Sequence, residues 1–298
     1  MKLGVIGLGV VGTANYKGFE LLGHEMFSHD IKFHTSIKDV LSTDIAFVCV
    51  PTPSFDNGSC DTTIVKSVVT ELNANEYEGI IAIRSSTVPG FTKSMIELFP
   101  KRKICFVPEF VRERCALDDF TKDHQMLAIG TTDQYVFNKV KEAHGNYPKN
   151  VVHLRPTEAE ILKYYLNLYA ATRVTFANVF YEIAQKMDCD YTAIKNAYIK
   201  TGRAGDMYLD VNPDLRGYGG MCLPKDTRTI IQLLKDLKLD YEFFDTVDAD
   251  NKKITTTVFS GMRDESDNYN IEWYTDFNFI VKELELCDKD KKDLEHKY

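Results

Sequence analysis

Apolar positions in the first half of the chain fall in short runs, and the stretches between these runs alternate apolar and polar residues with helical spacing. Each run is rich in β-branched or aliphatic residues and ends at Gly, Pro, Ser or Thr, which predicts a buried strand. The runs are residues 2–7, 45–50, 79–87, 103–110 and 124–130. Residues 62–77 are typical of the helices between them. Strands that alternate with helices predict an α/β fold with a doubly wound parallel sheet, covered by helices on both faces.

The pattern changes near residue 155. Residues 157–188 form one long helical pattern, and Thr157 with Glu160 three residues later has capping-box spacing at its start. Shorter helices are predicted at 191–201 and 227–240. We expect a sheet domain, an α-helical domain and a C-terminal tail partly packed on the body, divided as residues 1–153, 154–250 and 251–298.

Composition narrows the class of protein. The formal net charge of −8 disfavours nucleic acid or an anionic membrane as the main partner, and no apolar run is long enough to span a membrane. The first residues have glycines at a motif spacing and no signal-peptide cleavage pattern, which favours a cytoplasmic protein. The cysteines form no CxxC pair and favour reduced thiols, so we expect neither a disulfide framework nor a metal.

A glycine-rich turn closes the first predicted strand and opens a helix. Its residues are Gly7, Leu8, Gly9, Val10, Val11 and Gly12. Glycines allow close approach of a ligand, and a helix N-terminus attracts a pyrophosphate. Asp30 would end the second strand, where its carboxylate can accept hydrogen bonds from both ribose hydroxyls and repels a 2′-phosphate. The pattern predicts binding of NAD rather than NADP, with a purely structural glycine turn as the alternative.

Loops that carry hydroxyl groups or carboxylates follow the later strands. In a parallel sheet these strand ends face the ligand crevice, so such loops can orient a cofactor or a water. For the loops that contain residues 50–52 and Thr87, strand termination by proline is the alternative interpretation. The residues of interest are Val50, Pro51, Thr52, Thr87, Glu109 and Glu113.

Two further stretches carry reactive or charged groups. Lys163 and Asn167 are four residues apart on the long predicted helix and share a face, although a lysine whose stem lies along the surface is the alternative. Cys222 has glycines on one side and Lys225 and Asp226 on the other, a setting that favours a reactive thiolate. A salt bridge at a helix start is the alternative for Lys225 and Asp226. The other cysteines are expected to be small core residues.

A thiol beside a nicotinamide cofactor allows one alcohol to be oxidised twice. Loss of a first hydride gives an aldehyde, addition of the thiolate gives a thiohemiacetal, and loss of a second hydride gives a thioester that water hydrolyses to a carboxylate. This scheme needs donors for the oxyanion and an acid or base for the water. Lys163, Asn167, Asp226 and Glu113 are of suitable types.

Taken in chain order, these motifs resemble those of the UDP-glucose/GDP-mannose dehydrogenase family. The similarity extends from residue 1 to about 245 and is carried by the glycine turn, Asp30 and the sequences VPTP, SSTVPG, PEFVRE, EAEILKYYLN and GYGGMCLPKD. The resemblance implies a Rossmann-type NAD-binding domain, a helical substrate-binding and dimerisation domain, and oxidation of a nucleotide sugar at C6 to the uronate. With UDP-glucose, two NAD+ and one water would give UDP-glucuronate and two NADH.

The resemblance also implies roles for individual residues. Cys222 would be the nucleophile, and Lys163 and Asn167 the oxyanion donors. Asp226 would be the partner of Lys163 and of the catalytic water, which Thr87 and Glu113 would help to organise. Cofactor contacts would come from the glycine turn, Asp30, Val50, Pro51, Thr52, Thr87, Glu113 and Lys225. Substrate contacts would come from Glu109, Phe110, Val111, Glu113, Lys163, Asn167, Arg203, Tyr208, Tyr218 and Gly219.

The expected partners follow from the same resemblance. The helix over residues 157–188 would form the core of a homodimer, and Arg203 resembles an arginine that reaches the substrate of the neighbouring subunit. The family normally has a third, C-terminal α/β domain that closes over the nucleotide, and residues after 250 lack its alternating strands. We therefore expect weaker or looser nucleotide recognition, or a helper chain that replaces this domain.

Two other functions remain open at this point. One is a β-hydroxyacid-type dehydrogenase, which shares a Rossmann domain followed by helices but transfers a single hydride and needs no thiol. The other is a non-catalytic relative that binds NAD or a sugar nucleotide.

Overall fold

The computed structural model describes residues 1–112, 115–211, 216–220 and 222–254. The predictions that concern Glu113 and the tail beyond residue 254 lie outside these ranges. No helix within them is both long enough and apolar enough to cross a membrane.

The N-terminal part of the described chain forms a seven-stranded sheet. Its strands are β1 (Lys2–Ile6), β2 (Glu25–His29), β3 (Ile45–Val48), β4 (Ile80–Ile83), β5 (Lys103–Phe106), β6 (Leu127–Gly130) and β7 (Val151–Leu154). They lie side by side in the order β2-β1-β3-β4-β5-β6-β7. The chain moves outward from β1 to β2 and then returns to the other side of β1 with β3. This reversal is the switch point beside which doubly wound sheets bind their ligands.

Helices separate the strands and continue after the sheet. They are α1 (Val10–Leu21), α2 (Thr63–Ala74), α3 (Phe91–Leu98), α4 (Ala116–Thr121), α5 (Gln134–Ala143), α6 (Pro156–Lys186), α7 (Tyr191–Ile199), α8 (Leu223–Asp236) and α9 (Phe243–Lys253). Between β2 and β3 the chain makes only a short 3-10 turn, Ile37–Val40. A full crossover helix is therefore absent between these two strands, all of whose connecting residues are described.

Alternate side chains of each strand pack against helices on opposite faces of the sheet, as the pleat requires. On β4, Ile81 and Ile83 belong to the core cluster that includes α2 and α3. Ile80 and Ala82 belong to the cluster that includes α1, α4 and α5. The sheet is thus covered on both sides, and the expected α/β fold with a doubly wound sheet is confirmed.

Two features of the sheet differ from the expectation. Strand β6 runs antiparallel to β5, which it meets at Phe106 and Gly130, whereas the other neighbouring pairs are parallel. Strand β7 was not predicted. It lies at the edge of the sheet with every residue at least partly exposed, and its sequence VVHL, interrupted by His153, is too short an apolar run to mark a buried strand.

Contacts divide the chain into two compact units. The first comprises Met1–Thr52 and Asp61–Lys163, and contains the sheet. The second comprises Pro53–Cys60 together with the described residues from Tyr164 onward. The division falls within α6.

The predicted cap at the start of α6 is wrong. Helix α6 begins one residue earlier, at Pro156, because proline has the backbone φ of a first helical residue and no N–H to satisfy. The main-chain N–H of Arg155 donates to Glu158 at 2.8 Å, so Glu158 rather than Glu160 closes this turn.

Glu160 instead caps another helix. Its buried carboxylate accepts hydrogen bonds from the main-chain N–H groups of Gly90, at 2.6 Å, and Thr92, at 2.8 Å, at the start of α3. The hydroxyl of Thr87 donates to the same carboxylate at 3.1 Å. Burial raises the pKa of Glu160, although these hydrogen bonds act in the opposite direction.

The helix behind the cysteine loop also begins earlier than predicted. Helix α8 starts at Leu223, with Pro224 in its first turn, and not at residue 227. Lys225 and Asp226 are therefore first-turn residues. Helix α9 was not predicted, because its sequence is mostly polar; it contributes Val247 to a small cluster with Ala171.

Candidate active site

The glycine turn after β1 has the close contacts that its spacing predicts. Gly7 has a φ of +90°, and a Cβ on it would lie 2.7 Å from the carbonyl oxygen of Cys49. A Cβ on Gly12 would lie 1.8 Å from the carbonyl oxygen of Gly7. Next to Gly9, in contrast, a Cβ would meet no described atom within 4 Å. Gly7 and Gly12 thus serve the packing of the turn, while Gly9 leaves open space at the start of α1.

This open space has the properties of a pyrophosphate site. Gly9 is the N-cap of α1, and among the described residues no side chain caps this helix. Asp30 follows β2 and accepts hydrogen bonds from the main-chain N–H groups of Leu8, at 2.7 Å, and Lys32, at 2.9 Å. A helix N-terminus beside a carboxylate at the end of β2 fits the pyrophosphate and ribose of NAD. Gly9 and Asp30 would hold these groups.

The loops after β3 and β4 are tied together. The hydroxyl of Ser85 donates to the carbonyl oxygens of Val48, at 3.2 Å, and Val50, at 2.7 Å. Thr52 is half-buried and Pro51 is exposed. The side chain of Thr87 is fully buried against Glu160. The structure therefore places Thr87 as a residue that holds its loop.

Lys163 is fixed by the segment that follows β5. Its ammonium donates to the main-chain carbonyl of Glu109 at 2.6 Å and lies 5.7 Å from the centre of the Phe110 ring. The carboxylate of Glu109 turns inward and pairs with Arg84 at 3.0 Å. A ligand contact from Glu109 would therefore come from its main chain. Val111 is half-buried and packs against the core cluster of the sheet.

In the second unit, α6 and the start of α8 are joined by a short chain of polar side chains. The amide of Asn167 donates to one oxygen of Asp226 at 2.6 Å, and Lys225 binds the other at 2.9 Å. The side chain of Asp226 is 1% exposed. Burial opposes the charge on Lys225, but Asp226, Cys60 and Cys222 outweigh it, so that the pKa of Lys225 is raised. The salt bridge considered for Lys225 and Asp226 is present, and its carboxylate also accepts a hydrogen bond from Asn167.

Cys222 occupies the N-cap position of α8 and is exposed. Its carbonyl oxygen accepts the main-chain N–H of Asp226 at 2.9 Å, which closes the first turn. An accessible thiol at a helix N-terminus, next to a lysine, is a setting in which reactive cysteines occur. Cys222, Lys225, Asp226 and Asn167 are thus brought together within one unit.

The loop after α7 is held by three anchors. Arg173 donates to the carbonyl oxygen of Gly205, and the hydroxyl of Tyr191 donates to that of Leu209 at 2.8 Å. Lys195, which is 8% exposed, binds both Asp206 and Asp210. Arg203 and Tyr208 lie on this loop and are exposed, and Tyr208 has a left-handed φ of 64°. The anchors fix the backbone of the loop that carries these two exposed side chains.

Tyr218 is placed differently from Arg203 and Tyr208, which are exposed. It is buried, and its main-chain N–H and carbonyl form a reciprocal pair with the side-chain amide of Asn251, each at 2.8 Å. Burial raises the pKa of Tyr218 to about 12. Gly219, which follows it, is half-buried.

The remaining described cysteines vary in exposure, and none forms a disulfide. Cys60 and Cys105 are buried, and burial raises the pKa of Cys105 to about 12. Cys49 and Cys115 are half-buried. Cys189 is exposed between α6 and α7, so the expectation of a core position is wrong there, because α6 ends just before it.

Three residues at or beside the site were not identified from the sequence. Glu160 was interpreted as a local cap, and Lys195 was not singled out within the helix predicted at 191–201. Arg84 had a usable signal, since a charged residue at the end of the buried strand β4 must find a buried partner.

The fold and the glycine turn define a Rossmann-type dinucleotide-binding protein. Residues 20–147 match the NAD binding domain of the UDP-glucose/GDP-mannose dehydrogenase family, and residues 157–253 match its central domain. The chain belongs to this family.

A named relative and a solved structure agree with this assignment, and a second solved structure shares the fold. UDP-glucose 6-dehydrogenase of Haloferax volcanii is 29% identical over 78% of this chain and 65% of its own length. A UDP-glucose dehydrogenase structure from Pyrobaculum islandicum is 25% identical, with a TM-score of 0.77 over 85% of this chain and 68% of that one. A 3-hydroxyisobutyrate dehydrogenase of Mycobacterium tuberculosis shares the fold, at 13% identity and a TM-score of 0.71 over 91% of this chain and 98% of that one.

Proposed function

We propose that this chain binds NAD and a nucleotide sugar, with UDP-glucose as the expected substrate, and oxidises the C6 alcohol of the sugar to a carboxylate through a covalent intermediate on Cys222. The observation that carries the proposal is an exposed thiol at the start of α8, beside the Asn167–Asp226–Lys225 chain, in a member of this family. The names of the relatives support the class of substrate.

Bound NAD+ would supply the hydride acceptor for both oxidations. The thiolate of Cys222 adds to the aldehyde carbon to give a thiohemiacetal, whose oxidation leaves a thioester on the same sulfur. Water then attacks the thioester carbon, and the sulfur departs as thiolate. Cys222 therefore makes the second oxidation yield an acid while the aldehyde stays bound.

We assign stabilisation of the oxyanion to Lys163 and Asn167, which are one turn apart on α6. The ammonium of Lys163 has three donors, of which the Glu109 carbonyl takes one. The amide of Asn167 has two, of which Asp226 takes one. We assign Asp226, which orients Asn167 and Lys225, to the hydrolytic water. Thr87 supports this chemistry by holding the loop after β4.

The same proposal includes a homodimer formed through α6. Several large apolar side chains on this helix are exposed, among them Tyr165, Tyr169, Phe176, Phe180 and Ile183. Exposed apolar area of this extent on one helix is typical of a surface that another chain covers. Arg203 would then contact the substrate bound by the neighbouring subunit. The helper chain that would replace the C-terminal nucleotide-binding domain stays a prediction.

A screen of nucleotide sugars tests the proposal. The full chain is incubated with NAD+ and UDP-glucose, UDP-N-acetyl sugars or GDP-mannose, and NADH formation and product mass are measured. We expect a uronate and close to two NADH per sugar with one of them. One NADH per substrate and a ketone or aldehyde product would favour a single-hydride dehydrogenase. Tight NAD binding without turnover of any sugar would contradict the enzymatic role.

A further inference from the structure

We propose that Arg84 is a positioning residue that fixes the amino group of Lys163 through Glu109. The inference deepens the proposed function, on which the catalytic consequence rests. The contacts that lead from Arg84 through Glu109 to Lys163 lie within the first unit, and they do not depend on the reaction.

Arg84 leaves β4 directly before the Ser-Ser-Thr loop and is almost completely buried, with a side chain that is 1% exposed. Its guanidinium pairs with Glu109 at 3.0 Å and donates to the side-chain oxygen of Asn15 at 2.5 Å. Asn15, on α1, also donates to the Glu109 carboxylate at 3.2 Å. The three side chains form a closed triangle in the interior.

The remaining contacts of Arg84 complete its surroundings. It donates to the carbonyl oxygen of Val107 at 3.4 Å, lies 3.3 Å from Nε2 of His144, and faces the rings of Phe47 and Phe120 at 5.5 Å. A guanidinium presents five donors in a rigid plane, and only such a group can meet so many partners at once. Arg84 is therefore held in a single orientation.

This orientation determines where the backbone of Glu109 lies. The carboxylate of Glu109 accepts from Arg84, Asn15 and the main-chain N–H of Phe110, the last at 3.0 Å. With its side chain fixed, the carbonyl oxygen of Glu109 has one position, and Lys163 donates to it at 2.6 Å. The ring of Phe110 lies next to the same ammonium group, with its centre 5.7 Å away.

Stability alone is a weak reason for such a pair. Desolvation of two buried charges offsets most of their attraction, and well-packed apolar residues often serve equally well. A buried pair does, however, specify geometry, because a displaced partner would leave a charge unpaired. The triangle joins α1, β4 and the segment after β5, and the Glu109 carbonyl extends it to α6.

A labelling experiment tests the positioning directly and needs no substrate. Purified full-length chain is treated with trace acetic anhydride, and acetylation of Lys163 is quantified by peptide mass spectrometry relative to exposed Lys101. We expect Arg84→Met to raise labelling of Lys163 several-fold. Ile104→Val, which removes a buried methylene from β5, is the control and should leave it unchanged. Equal labelling of Lys163 in Arg84→Met and the original chain, both folded by circular dichroism, would overturn the proposal.

A double-mutant cycle then tests the catalytic consequence. If Arg84 acts through Lys163, Arg84→Met lowers kcat by about 10–100-fold, as expected for a misplaced group. In a Lys163→Ala background the same change should alter kcat by less than about twofold. Additive losses would contradict the proposal. If Arg84→Met fails to fold, Glu109→Gln takes its place in the cycle. Arg84→Lys keeps the positive charge and should retain more activity than Arg84→Met. A chain inactive with every sugar would refute the proposed function while the labelling result stands.

Discussion

The glycines after β1 meet different neighbours, and the difference predicts different effects of a single methyl group. Gly9 has a φ of −73° and open space beside it, so Gly9→Ala is expected to leave thermal unfolding unchanged. The methyl group would occupy the space proposed for the pyrophosphate. Loss of a contact to a charged group is worth about 1.5–3 kcal/mol, so the dissociation constant of NAD, measured by calorimetry, should rise about tenfold or more.

Gly12→Ala is the matched comparison for that experiment. Its Cβ would overlap the Gly7 carbonyl, so this variant should unfold more easily by about 1–3 kcal/mol as well as lose NAD affinity. Equal NAD affinity of Gly9→Ala and the original chain would contradict the assignment of this turn.

His144 makes the stability of the first unit depend on pH. Its Nδ1 lies 2.7 Å from the Val140 carbonyl and its Nε2 faces Arg84, so the buried ring is held neutral. Burial and the charge of Arg84 lower the pKa of His144 well below its usual value. The unfolded chain binds a proton near pH 6.5 that the folded chain does not, so stability is present above that pH and falls below it.

The expected slope is about 1.4 kcal/mol per pH unit for each proton of difference. Denaturant unfolding between pH 7 and pH 5 measures it. His144→Gln should flatten this dependence, whereas His34→Gln, at an exposed position, should not. The same slope in His144→Gln and the original chain would contradict the interpretation.

At the scale of elements, Lys195 connects α7 with the loop that carries Arg203 and Tyr208. Burial opposes the charge of Lys195, but Asp210 and Asp206 outweigh it and raise its pKa. Lys195→Met should lower the free energy of unfolding by about 1.5–3 kcal/mol, as expected for a lost charged hydrogen bond. Hydrogen exchange should increase in residues 203–210, and KM for the nucleotide sugar should rise more than kcat falls.

Lys235→Met is the control, because Lys235 pairs with Asp245 only at 4.0 Å on the surface. Unchanged hydrogen exchange in residues 203–210 of Lys195→Met would contradict the prediction, because it would show that Arg173 and Tyr191 hold the loop without Lys195.

Elements with a strong pattern were predictable from the sequence, and their ends were not. The buried strand β4 and the long helix α6 follow directly from apolar runs and helical periodicity. The start of α6 was misplaced because the partner of Glu160, the first turn of α3, is distant in sequence. The edge strand β7 escaped because its pairing with β6, and not burial, stabilises it.

The candidate site shows the same limit. The glycine turn, Asp30 and Cys222 lie in short sequence motifs, which identify them as candidate site residues. The partner of Glu109 could not be predicted, because Arg84 and Glu109 follow β4 and β5, two strands that only the folded sheet brings side by side. Residue types indicate the chemistry, whereas the contacts that orient them depend on the folded chain.

At the scale of the whole molecule, the exposed face of α6 predicts self-association. Phe176 and Phe180 lie one turn apart with ring centres separated by 4.7 Å, and both are about half exposed. Light scattering should give twice the chain mass of 34.0 kDa. Phe180→Glu should shift this to a monomer, because a charge would lie in the interface.

Leu98→Glu changes an equally exposed apolar residue of the first unit and should leave the dimer intact. A monomer in the original chain, or a Phe180→Glu protein that still dimerises, would contradict an interface through α6.

The central claim is that the sulfur of Cys222 becomes bonded to the sugar carbon during turnover. Its most direct test is the yield of NADH per UDP-glucose consumed, or per whichever nucleotide sugar the screen identifies, for Cys222→Ser and for Cys189→Ser, an exposed cysteine outside the site. The original chain and Cys189→Ser should give two NADH and a uronate. Cys222→Ser should give at most one NADH and no uronate. Two NADH and a uronate from Cys222→Ser would contradict the account.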